Sequence, residues 1–505
     1  MKNSFLLLVF IFIGSIGKAQ LYGLDQTFAA NGLYLGDTGV CVKIAVQQDG
    51  KIITTSGEEQ NGMMTYAMRF NSDGSIDQSF GNNGYFTSPI IDYGHNSPRL
   101  LYIQPDGKII LGSAIELAPL ADNDFFLIRL KTNGELDSSF GINGTVITSL
   151  FGDEYFSSVV VQPDNKILAY GYSSGNERHI MVLRYQPDGT IDSSFGTNGV
   201  VQSETTSWGF HYPTPNDIKI MQDGRIVIGL KASIFALNPP SGNTAFSVIR
   251  LLPNGSLDTS FNHTGIAYTN TNLPGLIYCR AMSLQPDGKI LLFGDADSLA
   301  IIRFDSSGSL DKSFGINGLK KFDTLGRLED GLIQPDGKIV AGVGIDNSMA
   351  LYRFKPNGEF DSSFGIYGRV STASPAPNIN LLLCIGLQTD GKLLAGGAYF
   401  DGGSDGKVML ARYTPNATSV NAIDLEKSIS IYPNPAHSKI HIDNKTNHLI
   451  VALSLHSLDG KLFLSRTHPN IKSVNTDGLP NGIYFLKIQF DNHLSTTRKI
   501  LIQRN

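Results

Sequence analysis

Along most of the chain, short apolar or alternating runs come in pairs, and each pair is hinged on the same polar turn. The turn appears as Val46-Gln-Gln-Asp-Gly-Lys51, Ile103-Gln-Pro-Asp-Gly-Lys108 and Val161-Gln-Pro-Asp-Asn-Lys166. It returns at Ile220–Arg225, Leu284–Lys289, Ile333–Lys338 and Leu387–Lys392. Asp-Gly between apolar runs is a hairpin signal, because Gly (or Asn165) accepts the positive φ that strains other residues. Flanks such as Lys108-Ile-Ile-Leu-Gly112 and Lys289-Ile-Leu-Leu-Phe-Gly294 read as strands. No segment before residue 420 has a helical period, so the expected class is all-β.

A second motif lies between the hairpins, as in Arg69-Phe-Asn-Ser-Asp-Gly-Ser-Ile-Asp-Gln-Ser-Phe-Gly-Asn-Asn-Gly84. Its Arg and Phe pair as Arg69/Phe80, Arg129/Phe140, Arg184/Phe195, Arg250/Phe261, Arg303/Phe314 and Arg353/Phe364, always eleven positions apart. Arg412 has no such Phe after it, and Phe28, in Leu24-Asp-Gln-Thr-Phe28, has no such Arg before it. A ring of seven units, closed by joining the two ends of the chain, accounts for this split. Each unit reads as four strands: a after the Gly-x-Asn-Gly turn, b into Asp-Gly-Lys, c out of it, and d ending on the Arg. Repeats of about fifty-five residues built this way suit a seven-bladed β-propeller. A β-solenoid is the rival, but it needs capped ends where a ring needs its ends to meet.

The spacings orient the ring. The b–c turn and the d-to-a passage are constant, whereas the a–b and c–d segments vary in length, and in an up-and-down blade those two emerge on one face. Variable loops on a rigid scaffold are where binding surfaces are usually placed. If strand a is innermost, the d-to-a passage must cross about 14 Å, three strand spacings.

Past Tyr413 the pattern stops. Residues 414–427 read as a linker, and 428–505 as a small β-sandwich of six or seven strands. Its marks are Ile431-Tyr-Pro-Asn-Pro-Ala436, Leu479-Pro-Asn-Gly-Ile-Tyr-Phe485 and Arg498-Lys-Ile-Leu-Ile502. Six of the ten His lie in this tail without ligand-like spacing, which surface polarity explains better than zinc.

Two resemblances follow from these motifs. Leu-Asp-x-Ser-Phe-Gly and Gln-Pro-Asp-Gly-Lys, over Leu24 to Tyr413, resemble the bacterial delta-60 repeat, which implies a propeller-like fold and no particular chemistry. Asn262-His-Thr-Gly265 and Ala29-Ala-Asn-Gly32 depart from the Phe-Gly-x-x-Gly form, which affects local turn geometry. The tail resembles the type A sorting domain of the type IX secretion system. That resemblance implies an export address read by the secretion machinery, with Tyr432, Pro433, Asn434, Pro435, Gly482, Tyr484 and Lys499 as the signal residues. A carbohydrate-binding sandwich is the alternative for the tail.

The start of the chain fits the same route. Lys2, an apolar run from Phe5 to Ile13, and the small Gly17 and Ala19 before Gln20 read as a cleaved signal peptide over residues 1–19. That run is short for a membrane anchor, and no later segment is a transmembrane candidate. The mature protein is expected to be secreted or held at the cell surface, with residues 20–413 as the propeller.

Charge narrows the partners. Residues 1–423 carry 30 Lys/Arg and 39 Asp/Glu (−9), and residues 424–505 carry 10 and 6 (+4). An acidic body lacks the basic footprint that nucleic acid requires. Three cysteines make no disulfide framework. Cys41 and Cys279 stand eight residues before a turn Asp and Cys384 six before, which predicts buried thiols on one face of equivalent strands.

For the seven Asp of the repeat (Asp25, Asp77, Asp137, Asp192, Asp258, Asp311 and Asp361) ion binding competes with turn capping, and turn capping is the simpler reading. Each Asp is also placed to meet its Arg, Arg412 with Asp25 across the seam. The Phe anchors, Phe28, Phe80, Phe140, Phe195, Phe261, Phe314 and Phe364, read as wedges between blades.

There is no nucleophile elbow, zinc signature or paired catalytic carboxylate in the sequence, and no cofactor is implied. Asp401-Gly-Gly-Ser-Asp-Gly406 offers oxygen ligands without EF-hand spacing. The fourth blade has the longest a–b and c–d segments, holding Trp208, Phe210, His211 and Tyr212 in one and Phe235, Asn238 and Asn243 in the other. Exposed aromatics beside Asn could stack on a sugar or grip a protein; the competing reading folds them inward as packing. The function expected is a non-catalytic binding or adhesion platform for an extracellular glycan or protein. The alternative is a propeller enzyme acting on glycans, a lyase or hydrolase, which should gather acids, His or Tyr around the axis.

Overall fold

The computed structural model describes residues 23–414 and 429–504 except for loop segments 204–209, 235–243, 270–276 and 401–405 and pieces of four residues or fewer. The expected leader, nearly all of the expected linker, and Asp401–Asp405 lie outside the described residues. The chain divides into two compact units, residues 1–417 and 418–505. No described helix is long and apolar enough to cross a membrane.

The first unit is a ring of seven antiparallel sheets. Blade one comprises Cys41–Val46, Ile52–Gln60, Met63–Phe70 and Tyr85–Thr87, hydrogen-bonded in that order. Blade two runs from Leu100–Ile103 to Thr145–Thr148, and blade three from Asp153–Val161 to Val200–Gln202. Blades four, five and six begin at Phe210–Ile220, Tyr278–Leu284 and Arg327–Ile333 and end at Ile266–Tyr268, Leu319–Phe322 and Arg369–Ala373. Blade seven takes Asn378–Leu387, Leu393–Phe400 and Lys407–Thr414 from the end of the body. Its outer strand comes from the start, Leu33–Leu35 pairing with Met409–Ala411, and Gly23–Leu24 pairs with Tyr413–Thr414.

Closure is visible in the core as well as the ladder. Buried apolar side chains fall into seven clusters, each between two consecutive blades. The last of these packs Cys384, Leu394 and Leu410 of blade seven against Cys41, Ile52 and Phe70 of blade one. The first strands of the blades are the inner ones, each packed on the next around the ring, including blade seven on blade one.

The grouping of strands differs from the sequence expectation. The strand after Gly-x-Asn-Gly does not begin a blade at the axis; it ends one at the rim, paired with the strand that carries the Arg. The connection between them spans no sheet. It is a compact double turn: the Asp77 amide donates to the Arg69 carbonyl (2.9 Å) and the Arg69 amide to the Gly84 carbonyl (3.0 Å), which lays Tyr85–Thr87 back along Met63–Phe70.

The separation of the two faces survives this regrouping. Five residues always separate the first strand of a blade from the second, and in blades one to six fourteen separate the third from the fourth. On the opposite face, two to nine residues join the second strand to the third, and four to twelve join one blade to the next. All the variation in length lies on one face.

The cysteine expectation also needs correcting. A β-bulge interrupts the inner strand between Cys41 and Lys43, between Cys279 and Ala281, and between Leu382 and Cys384. The extra residue flips the side chains beyond it. Cys41 and Cys279 therefore face the preceding blade and Cys384 the following one, so Cys384 and Cys41 meet across the closing joint with Sγ atoms 3.6 Å apart. All three thiols are free and buried.

The second unit packs Ile429–Tyr432, Lys439–Asn444 and Ser473–Asn475 as one sheet. The other sheet comprises Leu462–Thr467, Ile450–Ser457, Gly482–Phe490 and Ser495–Ile502. They enclose a shared apolar core that includes Ile440, Leu455, Leu486 and Ile500.

Candidate functional site

The seven repeat anchors form one joint, built seven times. In each, the Arg Nε donates to an Asp carboxylate oxygen at 2.6–3.0 Å. The other oxygen of that Asp accepts from the hydroxyl and amide of the Ser or Thr two residues on. Thus one carboxylate both caps the turn and holds the Arg. The guanidinium lies over the anchor Phe, 4.4–4.6 Å from the ring centre.

From there it reaches the next blade. Nη1 of Arg69, Arg129, Arg184, Arg250 and Arg303 donates to the carbonyls of Thr132, Pro187, Pro253, Ser306 and Pro356, and that of Arg412 to Ser72 of blade one. Phe80 in turn packs on Gly134 of blade two, where an added Cβ would stand 2.7 Å from the ring. Ala29 and Asn262 replace the first Gly of the usual turn, and both adopt its left-handed backbone, at φ 43° and 48°.

All seven Asp carboxyls lie below the ordinary carboxylate range. For Asp77, burial pushes upward, but the Lys51 ammonium, the Ser79 hydroxyl and amide, and Arg69 together outweigh it. The same balance brings Asp258 to about 2. Among the described residues no group of His, Cys, Asp or Glu is arranged to hold a metal ion. A 530 Å³ groove between blades one and two is lined by these same turn residues, including Gln47, Asp49, Gln104 and Thr132, on the face of constant connections.

Of the blade-four residues, Trp208, Phe235, Asn238 and Asn243 lie outside the described residues. Phe210, His211 and Tyr212 are not in a loop. They belong to the inner strand Phe210–Ile220, where Phe210 pairs with Ile234 and His211 with Ser233. The extra length of this segment is taken up by a longer strand with two bulges, after His211 and after Pro215.

Two charged groups that sequence reasoning missed lie on the inner strands and at their ends on the variable face. Nearer the axis, Asp217 pairs with Lys219 at 2.7 Å and accepts from the Ser158 hydroxyl of blade three at 2.7 Å. Asp330 accepts the amides of Gly331 (2.8 Å) and of Ile385 in blade seven (2.9 Å). Burial, only partly offset by Lys43, raises the Asp330 carboxyl. Lys219 keeps 41% of its side-chain surface accessible.

Further out on the variable face, the ring of Tyr278 is 43% exposed and framed by two cations, Lys231 at 4.7 Å and Arg280 at 5.1 Å. Arg178 lies over Tyr172 at 4.5 Å, and Tyr172 stacks on Tyr155 at 5.2 Å. Arg280 has Asp295 and Glu329 each at 3.4 Å, and burial raises both carboxyls. These residues carry no repeated signature, since the repeat brings them together from blades three to six.

In the second unit Asn434 and Gly482, two of the residues expected to carry the signal, bond to the last strand, which holds Lys499. The Asn434 side chain donates to the Lys499 carbonyl (3.1 Å) and accepts the Leu501 amide (2.8 Å). Pro433 and Pro435 flank it in the same segment, and the Ala436 amide donates to the Leu501 carbonyl at 2.7 Å. Gly482 pairs with Ile502, Tyr484 is buried with its hydroxyl on the Pro480 carbonyl (3.0 Å), and Tyr432 stacks on His441.

Comparison with known families agrees with this division. Residues 430–503 match the secretion system C-terminal sorting domain. Residues 104–140, 162–195, 222–261, 285–314 and 334–364 match the beta-propeller family described as domain of unknown function DUF5122. No curated protein matches the chain.

Among solved structures, the chain is similar to PorZ, a surface component of the type IX secretion system of Porphyromonas gingivalis, at 13% identity and a TM-score of 0.40. The similarity covers 91% of this chain and 59% of PorZ, so the chain spans under two thirds of that protein. It is also similar to prolyl oligopeptidase B from Galerina marginata (12% identity, TM-score 0.45, 93% of this chain and 56% of the other). A third is the gluconolactonase XC5397 from Xanthomonas campestris (15% identity, TM-score 0.32, 62% and 84%). The chain thus carries DUF5122 beta-propeller repeats, matched within residues 104–364, and a secretion-system sorting domain over residues 430–503, and it is secreted or carried on the outer-membrane surface.

Proposed function

We propose that the propeller is a non-catalytic binding platform, displayed outside the cell after its tail has engaged the type IX export machinery. The observation that carries this reading is the confinement of all loop-length variation to one face, while the other repeats the same five- and fourteen-residue connections. A selected surface on a constant scaffold has this form. The seven Arg–Asp–Phe joints supply the rigidity and engage all seven anchor carboxylates.

A propeller enzyme acting on glycans is the second reading, and one observation favours it: Asp217, Asp330 and Glu329 do gather near the inner strands. Their surroundings argue for a structural role. Both oxygens of Asp330 accept backbone amides, and Asp217 is taken by Ser158, the Ile218 amide and Lys219. A general acid or base needs an oxygen within reach of substrate.

A glycan array probed with the full chain, and with a variant shortened across 235–243, tests the platform. Loss of a bound glycan in the shortened variant supports it, and turnover of any arrayed glycan sinks it. Export is tested separately: deleting 428–505 should leave the protein in the periplasm.

A further inference from the structure

The geometry points to an acidic saccharide, a sugar bearing carboxylate or sulfate groups, as the ligand of the variable face, held by Lys231, Arg178 and Arg280 around the exposed ring of Tyr278. This rests on the platform reading and gives it a ligand class.

Three cations from three blades converge where the repeat does not require them. Lys231 and Arg280, from blades four and five, share one tyrosine ring. Burial, with the charges of Arg178 and Arg280 adding to it, holds the Lys231 ammonium below the ordinary lysine range. Like charges that act on one another repel, and the cost falls when an anion sits among them. Among the described residues no carboxylate lies within ion-pair distance of Lys231 or Arg178. The acids nearby are Asp295 and Glu329, both on Arg280, and Asp153 and Glu116, which act on Tyr155.

The aromatic surroundings select a sugar among anions. Tyr278 is exposed, while Tyr172 and Tyr155, both half-buried, stack on each other beside Arg178. Flat rings suit the apolar faces of pyranose units, while the cations meet their acidic groups.

The test measures retention of the full-length protein on immobilised polygalacturonate, dextran sulfate, uncharged dextran and polyglutamate, at low and physiological ionic strength. We expect binding to one or both acidic polysaccharides and none to dextran. The arm that retains the protein identifies carboxylate or sulfate. Binding should weaken with salt, fall about tenfold or more in Lys231→Met, and recover in Lys231→Arg. Lys355→Gln, which removes one charge on the opposite face, should bind as the parent does. Arg178→Met gives an independent reading if Lys231→Met melts early. Equal binding by Lys231→Met and Lys355→Gln, no preference over dextran, or equal retention on polyglutamate would overturn the proposal. Binding of a neutral glycan that Lys231→Met leaves unchanged would overturn it too, while leaving the platform reading intact.

Discussion

Arg412 and Asp25 stand 387 residues apart in the chain and 2.9 Å apart in the structure. They make the same contact that Arg69 makes with Asp77 only eight residues away. The repeat is therefore one physical unit whose parts need not be contiguous, and its division between the ends of the body makes ring closure part of folding.

Breaking that pair should be costly. Its two side chains are 5% and 7% exposed, and removing one partner strands a buried charge, at about 3–5 kcal/mol. Arg412→Met should lower Tm and loosen residues 23–35 along with blade seven. Arg412→Lys should rescue little, because an ammonium cannot serve Asp25, Thr27 and the Ser72 carbonyl together. Thermal melting with hydrogen exchange of the N-terminal strand checks both.

Acid should act on all seven joints. Each anchor Asp has a folded-state pKa below its unfolded one, so its contribution is complete above the unfolded value of about 3.9 and is lost as pH falls through the folded value. Stability should be flat from neutrality to about pH 5. It should then fall steeply toward pH 2, near the value of Asp258. Denaturant midpoints across this range check the slope, and Asp258→Asn should flatten it.

Gly134→Ala tests the joint sterically. The residue sits at φ +85°, and a Cβ would press on the Phe80 ring at 2.7 Å and the Gly81 amide at 2.7 Å. Loss of the left-handed backbone and overpacking should together cost more than about 1 kcal/mol. Gly391→Ala, at φ +83° with nothing within 4 Å, isolates the backbone part and should cost less in the same urea titration.

The thiols should be silent in the native state. Cys41, Cys279 and Cys384 are buried, and burial raises the Cys279 and Cys384 thiols. Labelling near neutral pH should modify none of them until the chain unfolds, and then all three.

The sequence made the repeat legible because its chemistry is local: Asp caps, left-handed Gly and a fixed Arg-to-Phe spacing each constrain a few residues. It did not show which strand paired with which, since Tyr85–Thr87 is as close in sequence to one blade as to the next. Only the backbone bonds of the double turn settle that. Counting by twos from the turn misplaced Cys41 and Cys279 relative to Cys384 for a similar reason, because a bulge changes the count and leaves no mark in residue type. The cluster of Lys231, Arg178, Tyr278 and Arg280 was hidden more deeply, as its members come from three blades and share no motif. The blade-four residues were singled out by segment length and by aromatics beside Asn, and neither showed that Phe210, His211 and Tyr212 belong to a strand.

The most direct test of the closed ring is a disulfide across the seam. Gly23 and Thr414 are register partners in the closing ladder, a pairing that sets Cα atoms about 4.5–5.5 Å apart, within bridging range. The variant Gly23→Cys, Thr414→Cys should oxidise to a monomer whose digest contains one peptide pair linking the two ends, and it should melt higher than its reduced form. Two free thiols, or links only between separate molecules, would mean that the ends of the body do not meet and that the repeats form an open array.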